Sequence, residues 1–530
     1  MEKLNKLIIG LAFLLTSAFC TAQVEPFTQF YTLDPEWDGH YFKQTLHTSD
    51  GGYIAAFNQN IGFYDRTNLL KLDKYGEIEW RTILEDTAYM NIESQSVCID
   101  NNGNYYLAGS VQIGYTTYVD YNAMIAKFSP IGELLWCKTY GRTPDNDPNN
   151  WGGESLRKII FGLDNELIAV GSRGGCGVTY QGNAFVMCID TNGEEKWNWD
   201  DCDSENFTSY FNSIVQSPSG HLYAIGAANI KAYYNGSYWN SIDQGFVVKI
   251  NIDGSISDTL IFGKPQYQLH LKDINVISEN RFALVGWVAD TNSNSLTNIK
   301  HSLIIVDTLF NPLYQNNITI GSEGGYQQIS IDKDTNIFVN AITYPSNIMS
   351  GSEYRSDFLW LKYDQKGRVI WKKYVGGEFY SSCMGHQAVS ADNDGGATFG
   401  CTFSWHEGTY FATAALYKLD SLGNGDYPIS DFPYSDSVEY IIYNKEIPAI
   451  ADSKVYIYPN PAKEELIVNI PANLINSEFK VFSITGRLVI ERILKNTQNK
   501  IDISHLKNGI YISMIKKDET VLYRKIVVNK

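Results

Sequence analysis

The sequence predicts an all-β chain, a seven-bladed β-propeller followed by a small C-terminal β-sandwich. Three observations carry this. One strand–turn–strand pattern recurs seven times between about residue 45 and residue 425. Its runs are short, rich in Val, Ile, Tyr and Trp, and bounded by Gly, Asn and Asp. No stretch of the body sustains a 3.6-residue apolar period, so helices are not expected. At 530 residues the chain also exceeds the size at which one core stops growing, which calls for repetition or several domains.

The second half of the repeat is clearest from Leu69 to Trp80, Leu-Leu-Lys-Leu-Asp-Lys-Tyr-Gly-Glu-Ile-Glu-Trp, and returns at Met124 to Trp136, Phe185 to Trp197 and Phe358 to Trp371. Weaker copies are Phe246 to Ile256, Leu303 to Leu313 and Ala415 to Gly425. The turn falls at Gly76, Gly132, Gly193, Gly254, Asn311, Gly367 and Gly423, in steps of 56 to 61 residues. Asn at the fifth is the substitution expected where φ must be positive. The first half, Asp50-Gly51-Gly52-Tyr53-Ile54-Ala55-Ala56, is echoed from Asn102 to Gly109, Leu163 to Gly171, Ser219 to Gly226, Glu279 to Gly286, Asp334 to Ala341 and Asn393 to Gly400. Each unit therefore reads strand, Asx/Gly turn, strand, variable connection, strand, Asp-x-x-Gly turn, strand. A four-stranded blade cannot bury both faces alone, and stacking blades about an axis solves this. The tryptophans Trp80, Trp136, Trp197 and Trp371 are read as packing between blades, and the aspartates Asp73, Asp190 and Asp364 as caps on turn N–H groups. The recurring Lys71, Lys127, Lys249, Lys362 and Lys418 are read as repeat architecture. The seventh unit lacks its Trp strand, while Phe27 to Asp34 precedes the first unit without a home, so the N-terminal segment is predicted to close the last blade.

These units resemble bacterial propeller repeat proteins whose copies read "DGGYI…G" followed by Lys, an apolar residue and Asp-x-x-Gly-x-x-x-Trp. The resemblance covers about residues 27–440 and implies a fold but no single activity. Quinone-dependent dehydrogenases share Trp-bearing propellers, but with eight blades and dedicated ligands that have no counterparts here.

Both ends carry export signals. Met1 to Lys6 is weakly basic, Leu7 to Phe19 is apolar, and Cys20-Thr21-Ala22 precedes Gln23, which predicts a signal peptide over residues 1–22. The propeller then spans 23–430, a linker 431–452 and the β-sandwich 453–530. No later run is long and apolar enough for a transmembrane segment in the mature chain. The tail contains Tyr458-Pro459-Asn460-Pro461, the turn Thr485-Gly486-Arg487-Leu488, the run Leu506-Lys507-Asn508-Gly509-Ile510-Tyr511 and a terminal Lys525-Ile526-Val527-Val528. In order and spacing these resemble the type A C-terminal sorting domain of the type IX secretion system of Bacteroidetes. That resemblance implies passage through the periplasm, partnership of the tail with the type IX machinery, and a secreted or outer-surface destination.

The net charge of −17 is uneven: residues 453–530 carry 13 Lys and Arg against 7 Asp and Glu, so the body holds all the acidic excess. Such a body repels nucleic acid, which is not an expected partner. Seven cysteines beyond residue 22 at irregular spacing do not make a disulfide framework, although Cys176 and Cys202 are candidates for one bridge. The eight histidines show no zinc-ligand spacing, and no serine sits in a nucleophile elbow. No cofactor is predicted; the loop cluster Asp200, Asp201 and Asp203 could take Ca²⁺, against the simpler reading of solvated surface. Aromatics outside the blade frame give a stronger lead. Tyr233, Tyr234, Tyr238, Trp239, Trp405 and Tyr410 fall in the variable connections between second and third strands, which must all emerge on one face, and they offer stacking surface for sugar or peptide. The sequence thus favours a non-catalytic module that binds an extracellular protein or glycan. The alternative is a secreted polysaccharide-active enzyme or peptidase using loop carboxylates near an aromatic cleft.

Overall fold

A computed structural model describes residues 25–31, 39–61, 64–84, 91–113, 120–141, 153–174, 182–201, 208–235, 238–262, 267–290, 299–319, 323–344, 357–375, 380–383, 388–406, 410–426, 430–431, 437–442, 456–459, 461–483, 488–517 and 520–530. The signal-peptide expectation lies outside these residues. The chain divides into two compact units, Met1–Tyr443 and Asn444–Lys530.

The first unit is the expected propeller. Six of its seven antiparallel sheets run from inner to outer strand as Gly39–His47 to Ile78–Leu84, Ile92–Ile99 to Leu134–Tyr140, Ser155–Phe161 to Glu195–Asp200, Ser209–Gln216 to Ile256–Phe262, Tyr267–Ser278 to Pro312–Thr319, and Glu323–Ile331 to Val369–Val375. The seventh blade combines Ala388–Ala391, Tyr380–Cys383, Ala397–His406 and Tyr410–Leu419 with the N-terminal strand Phe27–Tyr31. The closing strand pairs antiparallel with Tyr410–Leu419, placing Phe27 opposite Lys418. That is the register Trp80 holds against Lys71 and Trp371 against Lys362.

The register explains why Trp and Gly recur together. A side chain added at Gly132 would meet the Trp80 ring of the preceding blade at 2.6 Å, one at Gly254 the Trp197 ring at 2.5 Å, and one at Gly423 the Trp371 ring at 3.0 Å. Each outer-strand Trp therefore lies against the last turn of the next blade, whose glycine both takes positive φ and leaves room for the ring. Phe27 does the same for Gly76, at 2.6 Å, so the ring closes by the contact that joins other blades. The turns are capped as expected: Asp73 Oδ1 accepts the N–H groups of Tyr75 and Glu77, and Asp190 and Asp364 repeat the arrangement.

Blade five departs from the sequence reading. The residue with positive φ is Phe310 (φ 59°), not Asn311. Phe310 is buried and its ring lies 5.5 Å from that of Tyr223 and 5.8 Å from that of Phe282. The outer strand of blade four carries Asp258 at the Trp register, opposite Lys249. With no ring supplied by the preceding blade, the turn residue supplies its own.

The segment expected as a linker begins as part of the propeller. Ser430–Asp431 pairs outside Val369–Val375, and Ser437–Ile442 pairs outside Pro312–Thr319, adding a fifth strand to blades six and five. Within the added strand of blade five, Tyr440 stacks on Tyr314 at 6.3 Å.

The second unit is a seven-stranded β-sandwich. Tyr456–Tyr458, Glu465–Asn469 and Gln498–Asp502 form one sheet; Leu488–Leu494, Ser477–Ser483, Gly509–Lys517 and Thr520–Val528 form the other. Leu466, Val468, Phe479, Val481, Ile515 and Ile526 fill the space between them. Tyr511 joins that core and its hydroxyl donates to the Lys507 carbonyl at 2.9 Å. Tyr458, Pro459 and Pro461 are exposed, and Gly509 opens a strand. Asn460 and Gly486 lie outside the described residues.

Candidate binding site at the propeller axis

Each described inner strand of blades one to six carries a β-bulge at the same place. Pairing with the second strand shifts between Phe42 and Gln44, Ser94 and Ser96, Leu156 and Lys158, Phe211 and Ser213, Leu271 and Asp273, and Tyr326 and Gln328. The extra residue at a bulge leaves the ladder and its side chain is re-aimed. The six extra residues are Lys43, Gln95, Arg157, Asn212, Lys272 and Gln327, and all six line a cavity of about 350 Å³ on the axis, together with Gln44, Ser155, Lys158, Asp273 and Gln328. In four blades a glycine stands opposite. A Cβ at Gly109, Gly171, Gly226 or Gly286 would fall 1.8 to 1.9 Å from the carbonyl oxygen of Glu93, Ser155, Tyr210 or His270, so the bulge needs a residue without one.

A bulge also frees backbone N–H groups, and at three of the six bulges the following residue accepts from one on the next blade. Gln44 Oε1 accepts from Val97 N–H at 2.8 Å, Ser96 Oγ from Ile159 N–H at 3.1 Å, and Asp273 Oδ2 from Ile329 N–H at 3.0 Å. Asp273 Oδ1 further accepts from Ser213 Oγ at 2.5 Å and Ile274 N–H at 3.0 Å. The one carboxylate lining the cavity is thus committed to joining blades four, five and six.

The cations lining the cavity are less committed. Arg157 Nη1 donates to Asn212 Oδ1 at 2.6 Å, and its guanidinium lies 4.5 Å from the Tyr210 ring centroid. Lys158 Nζ stands 3.8 Å from Asp273. Lys43 is 6% exposed, yet neither its ammonium nor that of Lys272 has a hydrogen bond or ion pair among the described residues. Burial, opposed by the charges of Glu93 and Asp65, holds Lys43 down to about 8; burial, then repulsion from Arg157, holds Lys272 below its ordinary value.

Toward the end where the long connections emerge, Tyr210 Oη and His270 Nδ1 are 2.8 Å apart, and His270 Nε2 is 2.5 Å from Asp243 Oδ2. The His270 ring stacks on Trp287 at 4.2 Å. Burial, reinforced by Asp243 and opposed by Arg157, pushes the Tyr210 phenol up to about 12. The chain Asp243–His270–Tyr210 therefore fixes the ring on which Arg157 rests. Asp243 pairs with Asn229 at the base of a hairpin that continues to Asn235 and Tyr238, well beyond the blade. Tyr233, Tyr234, Tyr238 and Trp239, expected in a loop, are on this hairpin, with Tyr234 opposite Trp239. Trp405 and Tyr410 lie on a second hairpin, in blade seven.

Asp200 and Asp201 are engaged by different partners. Asp200 accepts from Arg173 Nη1 at 3.0 Å and Asp201 from Ser209 Oγ at 2.8 Å, while Asp203 lies outside the described residues. Cys176 and Cys202 also lie outside them. The inner-strand ring escaped the sequence reading because the units were aligned on their turns and later strands. Its signal was present: Lys43, Gln95, Arg157, Asn212, Lys272 and Gln327 each stand seven residues before the first turn's Asp50, Asn102, Asp164, Ser219, Glu279 and Asp334.

Residues 456–529 match the family of the secretion system C-terminal sorting domain. The tail is a type IX sorting domain. This sorting domain sends the chain through the periplasm to a secreted or cell-surface location. Among the described residues no helix is long and apolar enough to cross a membrane. No curated protein matches the chain. Similar solved structures include a protein of unknown function from Dyadobacter fermentans (10% identity, TM-score 0.41, over 75% of this chain and 98% of that one). Two others are the β-propeller domain of the Trilobed protease from Pyrococcus furiosus (11%, 0.37, 71% and 95%) and the polysaccharide lyase Uly1 (10%, 0.43, 77% and 94%).

Proposed function

We propose that the exported propeller is a non-catalytic binding protein whose ligand, an extracellular protein or glycan, docks on the face carrying the long connections. One observation supports this reading above others: the two faces are built differently. At one end every described strand pair closes through a short turn, mostly held by an Asp side chain. At the other, Leu222–Asn235 and Tyr238–Ile250 run to 14 and 13 residues, against 7 to 9 in blades one to three apart from the six of Glu195–Asp200, and carry four aromatic residues beyond the frame. A scaffold that keeps one end uniform and elaborates the other is suited to recognition, since loops and hairpin tips vary without disturbing the core. The test is a glycan and protein array with the purified chain, followed by the Tyr234→Ala, Trp239→Ala double variant. Selective binding that falls at least tenfold in the folded double variant supports the reading; turnover in a hydrolase and lyase screen without selective binding overturns it.

The enzymatic alternative is favoured by the hydrogen-bonded Tyr210, His270 and Asp243, an arrangement able to move a proton. It requires a polysaccharide or peptide substrate whose turnover His270→Gln abolishes while leaving binding intact.

A further inference from the structure

We propose that the axial cavity is a site for an oxyanion of the sulfate or phosphate class, held by Lys43, Arg157 and Lys272 with the amides of Gln95 and Gln327 as further donors. This goes beyond the docking-face reading, because the cavity is lined by inner strands and not by the hairpins.

The argument begins from what the cavity costs. The body is acidic, yet its axis gathers four cations, Lys43, Arg157, Lys158 and Lys272, against one carboxylate, Asp273, which backbone and hydroxyl donors already occupy. Burying like charges without counter-charges is unfavourable twice over, through desolvation and through repulsion. A purely structural channel would carry what other positions on these strands carry, uncharged groups that join blades, as Gln44 and Ser96 do. Instead the bulges turn three cations and three amides toward one space. Bulges are features that re-aim side chains, and here the same device recurs in blade after blade. Lys43 is the strongest single indication: its side chain is more than nine-tenths buried, lines the cavity and makes no hydrogen bond or salt bridge among the described residues, with Glu93 and Asp65 attracting it only from farther away. Gln95 likewise makes no side-chain hydrogen bond there. Burial lowers the proton affinity of Lys43, Arg157 and Lys272 alike, and at Lys43 it outweighs the opposing attraction of Glu93 and Asp65, the shift expected of buried cations with no counter-ion in direct contact. Ammonium, guanidinium and amide N–H groups converging on one volume supply donors on several sides, which suits a tetrahedral oxyanion better than a halide. The volume of about 350 Å³ leaves room for such a group with ordered water, or for a sulfate or phosphate ester on a larger molecule.

The test uses the purified full chain titrated with sodium sulfate and with sodium phosphate, each against sodium chloride at matched ionic strength, by calorimetry and thermal unfolding. A saturable rise in the unfolding midpoint with sulfate or phosphate, absent with chloride, is expected. The Lys43→Met, Lys272→Met variant is expected to lose at least tenfold in affinity while unfolding in chloride close to the parent, because removing two buried like charges offsets the loss of the attraction between Lys43 and Glu93 and Asp65. If that variant does not fold, Lys272→Gln alone carries the same comparison. A sulfated polysaccharide separates the two sources: displacement by inorganic sulfate assigns the cavity to an esterified ligand, whereas inorganic binding without polysaccharide binding assigns it to the free ion, and both support the proposal. No saturable effect beyond chloride, or undiminished binding by the folded variants, overturns it.

Discussion

Two single residues in blade five show how local rules yield to packing. Phe310 holds a left-handed backbone conformation that costs a non-glycine residue about 1–2 kcal/mol. It persists because its ring fills space between Tyr223 and Phe282. Losing a buried Phe ring costs about 3–5 kcal/mol, so Phe310→Gly relieves the backbone and still destabilises, by about 2 kcal/mol net in urea unfolding. An unchanged or raised midpoint would show that the ring contributes nothing. His301 is fully buried beside Tyr326, and its Nδ1 has no hydrogen-bond partner. Burial lowers it from 6.5 to about 4. Between those values the unfolded chain binds a proton that the folded chain does not, so stability falls as pH drops from 6.5 toward 4. The loss is on the order of 3 kcal/mol at its limit. A stability-against-pH series should show His301→Gln flattening this slope, and an identical slope in the variant would assign it to other groups. Lys43 has the same sign at higher pH: its depressed value removes stability as pH falls from 10.5 toward 8.

At the scale of the element, the closing strand is the most exposed to test. Phe27–Tyr31 pairs with Tyr410–Leu419 through its backbone, and two side chains dock on blade one: Phe27 against Gly76, and Tyr31, whose hydroxyl donates to the Gly76 carbonyl at 2.8 Å. Phe27→Ala should therefore cost about 3 kcal/mol and Phe27→Trp should largely preserve stability, since every other ring at this register against Lys is Trp. If both substitutions are equally disruptive, the register equivalence is wrong. The strand itself was legible in the sequence, because one unit lacked an outer strand and one strand lacked a unit. The bulges were not, because a bulge is a relation between two strands. The recurring Lys proved to be architecture: Lys71 pairs with Asp50 at 2.8 Å, Lys418 with Asp392 at 2.6 Å, and Lys362 donates to the Gly395 carbonyl at 2.9 Å. Each ties the third strand to a first turn, its own or the next blade's.

Across the whole molecule, the two compact units meet at Tyr443 and Asn444 in the chain, and Ser437–Ile442 belongs to the first. Limited proteolysis should cut between residues 443 and 455, leave the fifth strand on blade five, and release a tail with its own unfolding transition. A first cut between 431 and 442, or loss of the propeller transition once the tail is removed, would contradict this division. The sequence by itself determined the blade count, the caps, the closing strand and the sorting tail, because each rests on short-range pattern: alternation, turn residues at fixed spacing, a motif in order. It also determined that Tyr233 to Trp239 stand outside the repeating frame. Only the tertiary structure decided what faces the axis. Lys43, Gln95, Arg157, Asn212, Lys272 and Gln327 are up to 284 residues apart, and nothing in any one unit says that they share a cavity. Closing the ring brings them together, and the bulge turns them inward. Likewise Asp243, His270 and Tyr210 come from two blades and form one hydrogen-bonded chain only where those blades pack, so their relation is a property of the assembled ring and not of any segment.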